Sequence, residues 1–135
     1  AADAIGRGGY VLAEAGGAKA AAVLIATGSE VALAMAARER LTAAGIAVRG
    51  VSMPSTSVFD RQDPAYRTSV LPPGIPRLAI EAGVSDFWRK YVGLEGDVIG
   101  IDRFGESAPA AEVFKFLGFT VENVVERTRA LIAAP

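Results

Sequence analysis

The chain contains no cysteine and no histidine. Without cysteine there is no disulfide, no thiolate nucleophile and no zinc–thiolate site. The missing histidine excludes more, because imidazole is the commonest general base near neutral pH and the commonest transition-metal ligand. Any catalysis here would rest on carboxylates, lysine, tyrosine or a bound cofactor. An excess of one charge is lacking too: 14 Lys and Arg face 15 Asp and Glu, a formal net charge of −1. Cations scattered at that balance give no basic field for nucleic acid. No apolar run approaches the ~20 residues needed to cross a bilayer. Neither nucleic acid nor a membrane is therefore an expected partner. Residues 1–9 lack a basic patch followed by an apolar stretch, so they read as a linker or domain edge rather than a signal peptide.

What is present describes one globular unit, residues 10–135. The 135 residues are 51% apolar and 21% charged, a folded rather than a disordered composition. At this length roughly two-thirds of the unfolded chain's surface is buried on folding, enough for one core. Residues 10–15 alternate as an edge strand or hairpin arm does, before Gly16-Gly17. Residues 20–26 are nearly all apolar, the mark of a strand buried on both faces of a parallel sheet. Thr27-Gly28-Ser29-Glu30 turns the chain into a helix that runs to about residue 44. In that helix Ser29 is the expected N-cap and Gly45 the left-handed stop. Residues 46–53 predict a second strand, and 55–69 a polar loop with a short helix around 64–70. Residues 77–82 predict a third strand, 86–92 a short aromatic helix, and 97–101 a fourth core strand. Two helices close the chain, 109–117 and 121–133, separated by Gly118 as a stop and Thr120 as a cap. Strands alternating with helices imply an α/β fold, Rossmann-like and doubly wound. Its sheet would be mostly parallel, of about five strands, with helices on both faces.

Few residues offer chemistry. Ligands of open α/β sheets gather beyond the carboxyl ends of strands, where helix N-termini present free N–H groups. Gly28, Ser29 and Glu81 stand at such ends and form a candidate anion or small-ligand crevice. Against it, Glu30 already brings negative charge to that helix start, and no phosphate-binding glycine motif is present. The bland readings are a turn with a cap at Gly28–Ser29, and for Glu81 a role holding the following turn or pairing an arginine. Phe87, Trp88 and Tyr91 read as packing of a helix against the sheet or another domain. Asp60 and Asp63 read as loop solvation and helix capping, since no third oxygen donor suits a metal. Phe104, Gly105, Glu106 and Ser107 precede a helix start and are a turn, with Ser107 as cap, or a loop on which another surface docks. No residue is assigned a catalytic, cofactor-binding or metal-binding role.

Short segments along nearly the whole chain resemble, in order, the C-terminal domain of transketolases. They include Gly8-Gly9-Tyr10-Val11-Leu12, residues 25–32 (IATGSEVA), 51–56 (VSMPST), Phe59-Asp60 and Gln62-Asp63. Tyr66-Arg67, 69–72 (SVLP), Glu81-Ala82-Gly83, 88–93 (WRKYVG), 104–109 (FGESAP), 118–121 (GFTV) and 123–125 (NVV) continue the series. The resemblance implies a parent enzyme of three domains, a cytoplasmic homodimer. Such an enzyme transfers a two-carbon ketol unit from a ketose phosphate to an aldose phosphate in the pentose phosphate pathway. It also implies thiamine diphosphate and a divalent cation, Mg or Ca, held by the first two domains. The third domain would support the dimer and carry no catalytic residue. The family's cofactor signature is Gly-Asp-Gly with Asn about 25 residues later, their oxygens joining the diphosphate around the cation. Here Gly96-Asp97 is followed by Val98, and Asn123 starts a helix, so the match reads as coincidence. Two other readings stay open: a regulatory module binding a nucleotide or sugar phosphate, and the C-terminal domain of another thiamine-diphosphate enzyme.

Overall fold

Strand β2, Ala22–Ala26, is buried along its full length, and the sheet is organised around it. The computed structural model describes residues 2–17, 19–81, 85–100 and 118–134. Five strands are ordered β1-β3-β2-β4-β5: β1 is Tyr10–Ala13, β3 Val48–Ser52, β4 Arg77–Ile80 and β5 Asp97–Ile99. Strands β3, β2, β4 and β5 run parallel, with Leu24 level with Gly50 on one side and Leu78 on the other. The doubly wound, mostly parallel α/β sheet is thus the one the apolar runs predict.

The two faces follow from the two-residue period of a strand. Ala22, Leu24, Ala26, Leu78, Ile80 and Ile99 pack on one face, beneath helices α2 (Glu30–Ala43) and α6 (Val121–Ala133). Val23, Ile25, Ala79 and Val98 pack on the other, beneath α3 (Thr56–Asp60), α4 (Pro64–Val70), a 3-10 turn (Ser85–Trp88) and α5 (Arg89–Val92). A strand covered on both sides has no polar face, which is why residues 22–26 contain no polar side chain. Each fully buried Leu or Ile in these layers contributes about 1.5–3 kcal/mol through the apolar surface it removes from water.

Local chemistry sets the helix ends. Gly45, at φ +82°, donates its N–H to Thr42 O (2.9 Å), and Ile46 donates to Leu41 O (2.9 Å). These two bonds close α2 as a Schellman stop. Asp63 caps α4 by accepting from Tyr66 N (2.8 Å), and Thr120 caps α6 by accepting from Asn123 N (3.1 Å). Gly118 adopts φ +95°, the left-handed backbone that favours glycine, just before α6. Segment 10–13 is an edge strand, one of its two expected forms, and runs antiparallel to β3. One detail differs from expectation. Residues 56–60 form α3 instead of loop, because Ser55 accepts from Val58 N (3.4 Å) and Phe59 finds a buried seat in the core. The expected helix 109–117 lies outside the described residues.

The segment before β1 is tied to the domain. Helix α1, Ala2–Ile5, leads into Gly8 and Gly9, both buried. Gly9 O accepts from the Tyr66 hydroxyl (2.8 Å), and the Arg7 guanidinium lies 4.5 Å from the Tyr66 ring centroid. A Cβ on Gly9 would meet the Phe59 ring at 2.8 Å, so this approach to α3 requires glycine.

Candidate functional site

The chain leaves β2, crosses α2 to β3, then returns past β2 to enter β4 on its other side. Connections on opposite faces diverge there, the place where open α/β sheets form a crevice. A groove of about 400 Å³ lies at that end of the sheet, lined by Thr27, Met53, Pro54, Thr56, Glu81, Phe87 and Trp88. Met53 and Trp88 are buried, whereas Phe87 is 55% exposed. Half-buried Glu81 contributes the groove's single carboxylate among these residues, with hydroxyls from Thr27 and Thr56.

Of the predicted crevice residues, Glu81 lines this groove and Gly28 and Ser29 do not. Gly28, at φ +59°, makes the turn out of β2. Ser29 stands at the N-cap position in helical conformation, and its side chain does not cap the helix. Its hydroxyl donates instead to Glu30 Oε1 (3.1 Å). The first N–H groups are already used: Glu30 N donates to Thr27 O (3.2 Å) and Val31 N to Gly28 O (3.3 Å). With Glu30 buried at the same helix start, this end of α2 is supplied with both acceptors and negative charge. The loop Phe104, Gly105, Glu106 and Ser107 lies outside the described residues.

The aromatic helix packs as expected. Trp88 and Tyr91 are buried on the sheet face, their ring centroids 5.4 Å apart, and Phe87 sits 5.6 Å from Trp88. Sequence reasoning missed what Asp60 does. Its carboxylate accepts from Lys90 Nζ (2.6 Å) and from the Tyr91 hydroxyl (3.1 and 3.0 Å), tying α3 to α5. Burial works against the Asp60 charge, but the bonds from Lys90 and Tyr91 outweigh it and hold the carboxyl below its ordinary value. Residues 60 and 91 are too far apart in sequence for any spacing rule to pair them.

The geometry also tests a cation site at Asp97 and Asn123. Asp97 is held by Arg127, with Nε to Oδ2 at 2.7 Å and Nη2 to Oδ1 at 2.6 Å. Asp97 Oδ1 also accepts from Val98 N (2.9 Å). The Asn123 amide donates to Gly118 O (2.9 Å), fastening the start of α6. Both side chains are committed to the fold and do not fit a diphosphate-anchoring cation. Among the described residues no group of three or more acidic side chains could hold a metal ion.

A family model described as the transketolase-like TK C-terminal domain matches residues 8–120. The chain belongs to the transketolase C-terminal domain family. It is 58% identical over 130 residues to transketolase 1 of Vibrio cholerae, covering 96% of this chain and 19% of that protein. It is 59% identical over 131 residues to transketolase 1 of Pasteurella multocida, covering 95% and 20%. The fold superposes on a crystal structure of a Pichia stipitis transketolase mutant with a TM-score of 0.86 at 40% identity, covering 97% of this chain and 19% of that one. A transketolase from Leishmania mexicana gives 0.86 at 38% identity, covering 98% and 20%. The chain therefore spans about a fifth of the length of the curated relatives it matches. The match settles the family as transketolase.

Proposed function

We propose that this chain serves as the non-catalytic C-terminal domain of a transketolase and that its role is to support the assembled enzyme. The complete protein would be a cytoplasmic homodimer transferring a two-carbon ketol unit between sugar phosphates. Thiamine diphosphate, which supplies the carbanion chemistry of that transfer, and its divalent cation would sit in the two other domains. The observation that carries this reading is the Asp97–Arg127 clamp: the one Gly-Asp pair that echoes the cofactor signature is spent on holding α6. A chain with neither imidazole nor thiol adds no general base of the usual kind. A further relative supports an architectural role. The structure described as a split gene transketolase, inactive beta4 tetramer, matches at a TM-score of 0.67 and 25% identity, and this chain covers 42% of it.

Two measurements test the proposal. Titration of the chain with thiamine diphosphate and Mg²⁺ in a calorimeter is expected to give no saturable heat. Removing the domain from a complete transketolase is expected to weaken subunit association, read by sedimentation, with the substrate KM nearly unchanged. Saturable cofactor binding, or a large KM change with an intact dimer, overturns the reading. In the support role, the half-exposed Phe87 beside the strand-end groove and the loop Phe104–Ser107 are the surfaces that meet the other domains. A second reading, a nucleotide or sugar-phosphate regulatory module, draws on the same groove with Glu81 and Thr27 in its wall. Thermal stabilisation that Glu81→Gln alters would favour it.

A further inference from the structure

A different cavity, of about 270 Å³, opens between α3, α4 and α5. Its wall includes Asp60, Arg67, Thr68, Arg77, Lys90 and Tyr91, three cations against one carboxylate. The charges are not equally partnered. Asp60 is taken by Lys90 and Tyr91. Arg77 donates Nη1 to Tyr91 O (2.8 Å) and Nη2 to Leu71 O (2.8 Å) and Pro72 O (3.1 Å). These carbonyls satisfy its donors without cancelling its charge. Arg67 is different: its Nε is buried and has no hydrogen-bond partner. Leaving such a donor unmet is costly, the more so for a charged group. Lys90–Asp60 is the ion pair of this wall among the described residues. Among the described residues neither guanidinium forms an ion pair, although Arg67 acts through space on the Asp60 carboxylate.

We propose that this cavity binds a phosphoryl group, with the Nε–Nη edge of Arg67 as its bidentate donor and Lys90 and Arg77 supplying the surrounding positive field. An Arg fork matches the spacing of two phosphate oxygens, and charge-assisted bonds of that kind are about twice as strong as neutral ones. Nε is unmet in the free protein, so turning the guanidinium edge of this wall residue toward the cavity, onto an anion, would give that donor a partner. Size limits the ligand. Sites for drug-sized molecules run about 300–1,000 Å³, so this one suits inorganic phosphate or the head of a small phosphate ester. The cavity is distinct from the strand-end groove: Glu81, Thr27 and Phe87 line the groove, and none of them lines this wall.

The test is a titration of the protein that carries this chain, labelled with 15N-arginine, using sodium phosphate at constant ionic strength. The Arg67 Nε–H resonance should move saturably, and sodium acetate or chloride at matched ionic strength should leave it in place. Arg67→Gln should weaken phosphate binding at least tenfold, and Arg67→Lys, which keeps the charge but loses the fork, should fall between. Tighter binding of glycerol 3-phosphate than of phosphate assigns the site to esters; the reverse order assigns it to the free ion, and both support a phosphoryl site. An Nε–H unmoved by phosphate, or moved equally by acetate, overturns the proposal. If Arg67→Gln does not fold, the wild-type titration alone decides.

Discussion

Replacing Asp97 by Asn separates a fold clamp from a metal ligand. Arg127 grips the Asp97 carboxylate with two bonds, at 2.7 and 2.6 Å, and reaches Val98 O at 3.2 Å, joining α6 to the start of β5. The side chains are 35% and 28% exposed. Exposed ion pairs are worth about 0.2–1 kcal/mol, and hydrogen bonds to charged groups about 1.5–3 kcal/mol. A bidentate pair with about a third of each side chain in water falls between, at a coupling of about 1–1.5 kcal/mol. Unfolding entropy scales as about 2.1 cal/mol/K per residue, so 135 residues give about 0.28 kcal/mol/K. The expected loss for Asp97→Asn is therefore roughly 4–5 °C in Tm. The assay is a double-mutant cycle by urea denaturation with Asp97→Asn, Arg127→Met and the double variant. The double variant should be less destabilised than the sum of the singles, and the coupling should shrink in high salt. Coupling below about 0.3 kcal/mol would refute the clamp. So would a wild-type Tm that rises with Mg²⁺ while that of Asp97→Asn does not.

Three further outcomes are expected. Asp60→Asn should destabilise the chain at neutral pH and make little difference in acid. The folded carboxyl lies below its ordinary value, so its contribution is full above that value and is lost as pH falls through the folded pKa. Urea midpoints of wild type and variant should converge with falling pH; a constant difference would contradict the Lys90–Tyr91 assignment. Tyr66→Phe removes the donor to Gly9 O, costing about 1 kcal/mol. It should also speed proteolysis after Arg7, and unchanged cleavage would show that this bond does not hold the segment. Leu24→Ala, at a position with no exposure in the central strand, should cost about 2.7–5 kcal/mol in chemical denaturation. A loss under about 1 kcal/mol would mean that β2 is not the centre of the core.

The parts of the fold that were legible in the sequence are those governed by period and by local chemistry. The uninterrupted apolar run 22–26 had to be a strand covered on both faces. Gly45 and Thr120 announced a helix stop and a helix cap because the left-handed turn and the side-chain oxygen act within a few residues. Ser29 misled for a physical reason. Its sequence position is right for a cap, but α2 begins with a tighter turn whose N–H groups reach Thr27 and Gly28 carbonyls. The hydroxyl was then free to bond Glu30. Helix α3 was missed because five residues carry too little periodicity, and burial of Phe59 supplied what propensity did not.

By itself the amino-acid sequence determined the alternating α/β order, the family, and the absence of imidazole and thiol chemistry. Composition and short-range spacing are enough for those. Tertiary structure alone decided which side chains share a site: Asp60 with Lys90 and Tyr91, Asp97 with Arg127, Glu81 with Phe87 along one groove, and Arg67 beside Arg77 in another. The physical reason is that such contacts link residues tens of positions apart. Their meeting depends on strand order, and no local preference encodes that the chain turns back past β2 to place β4 on its other side.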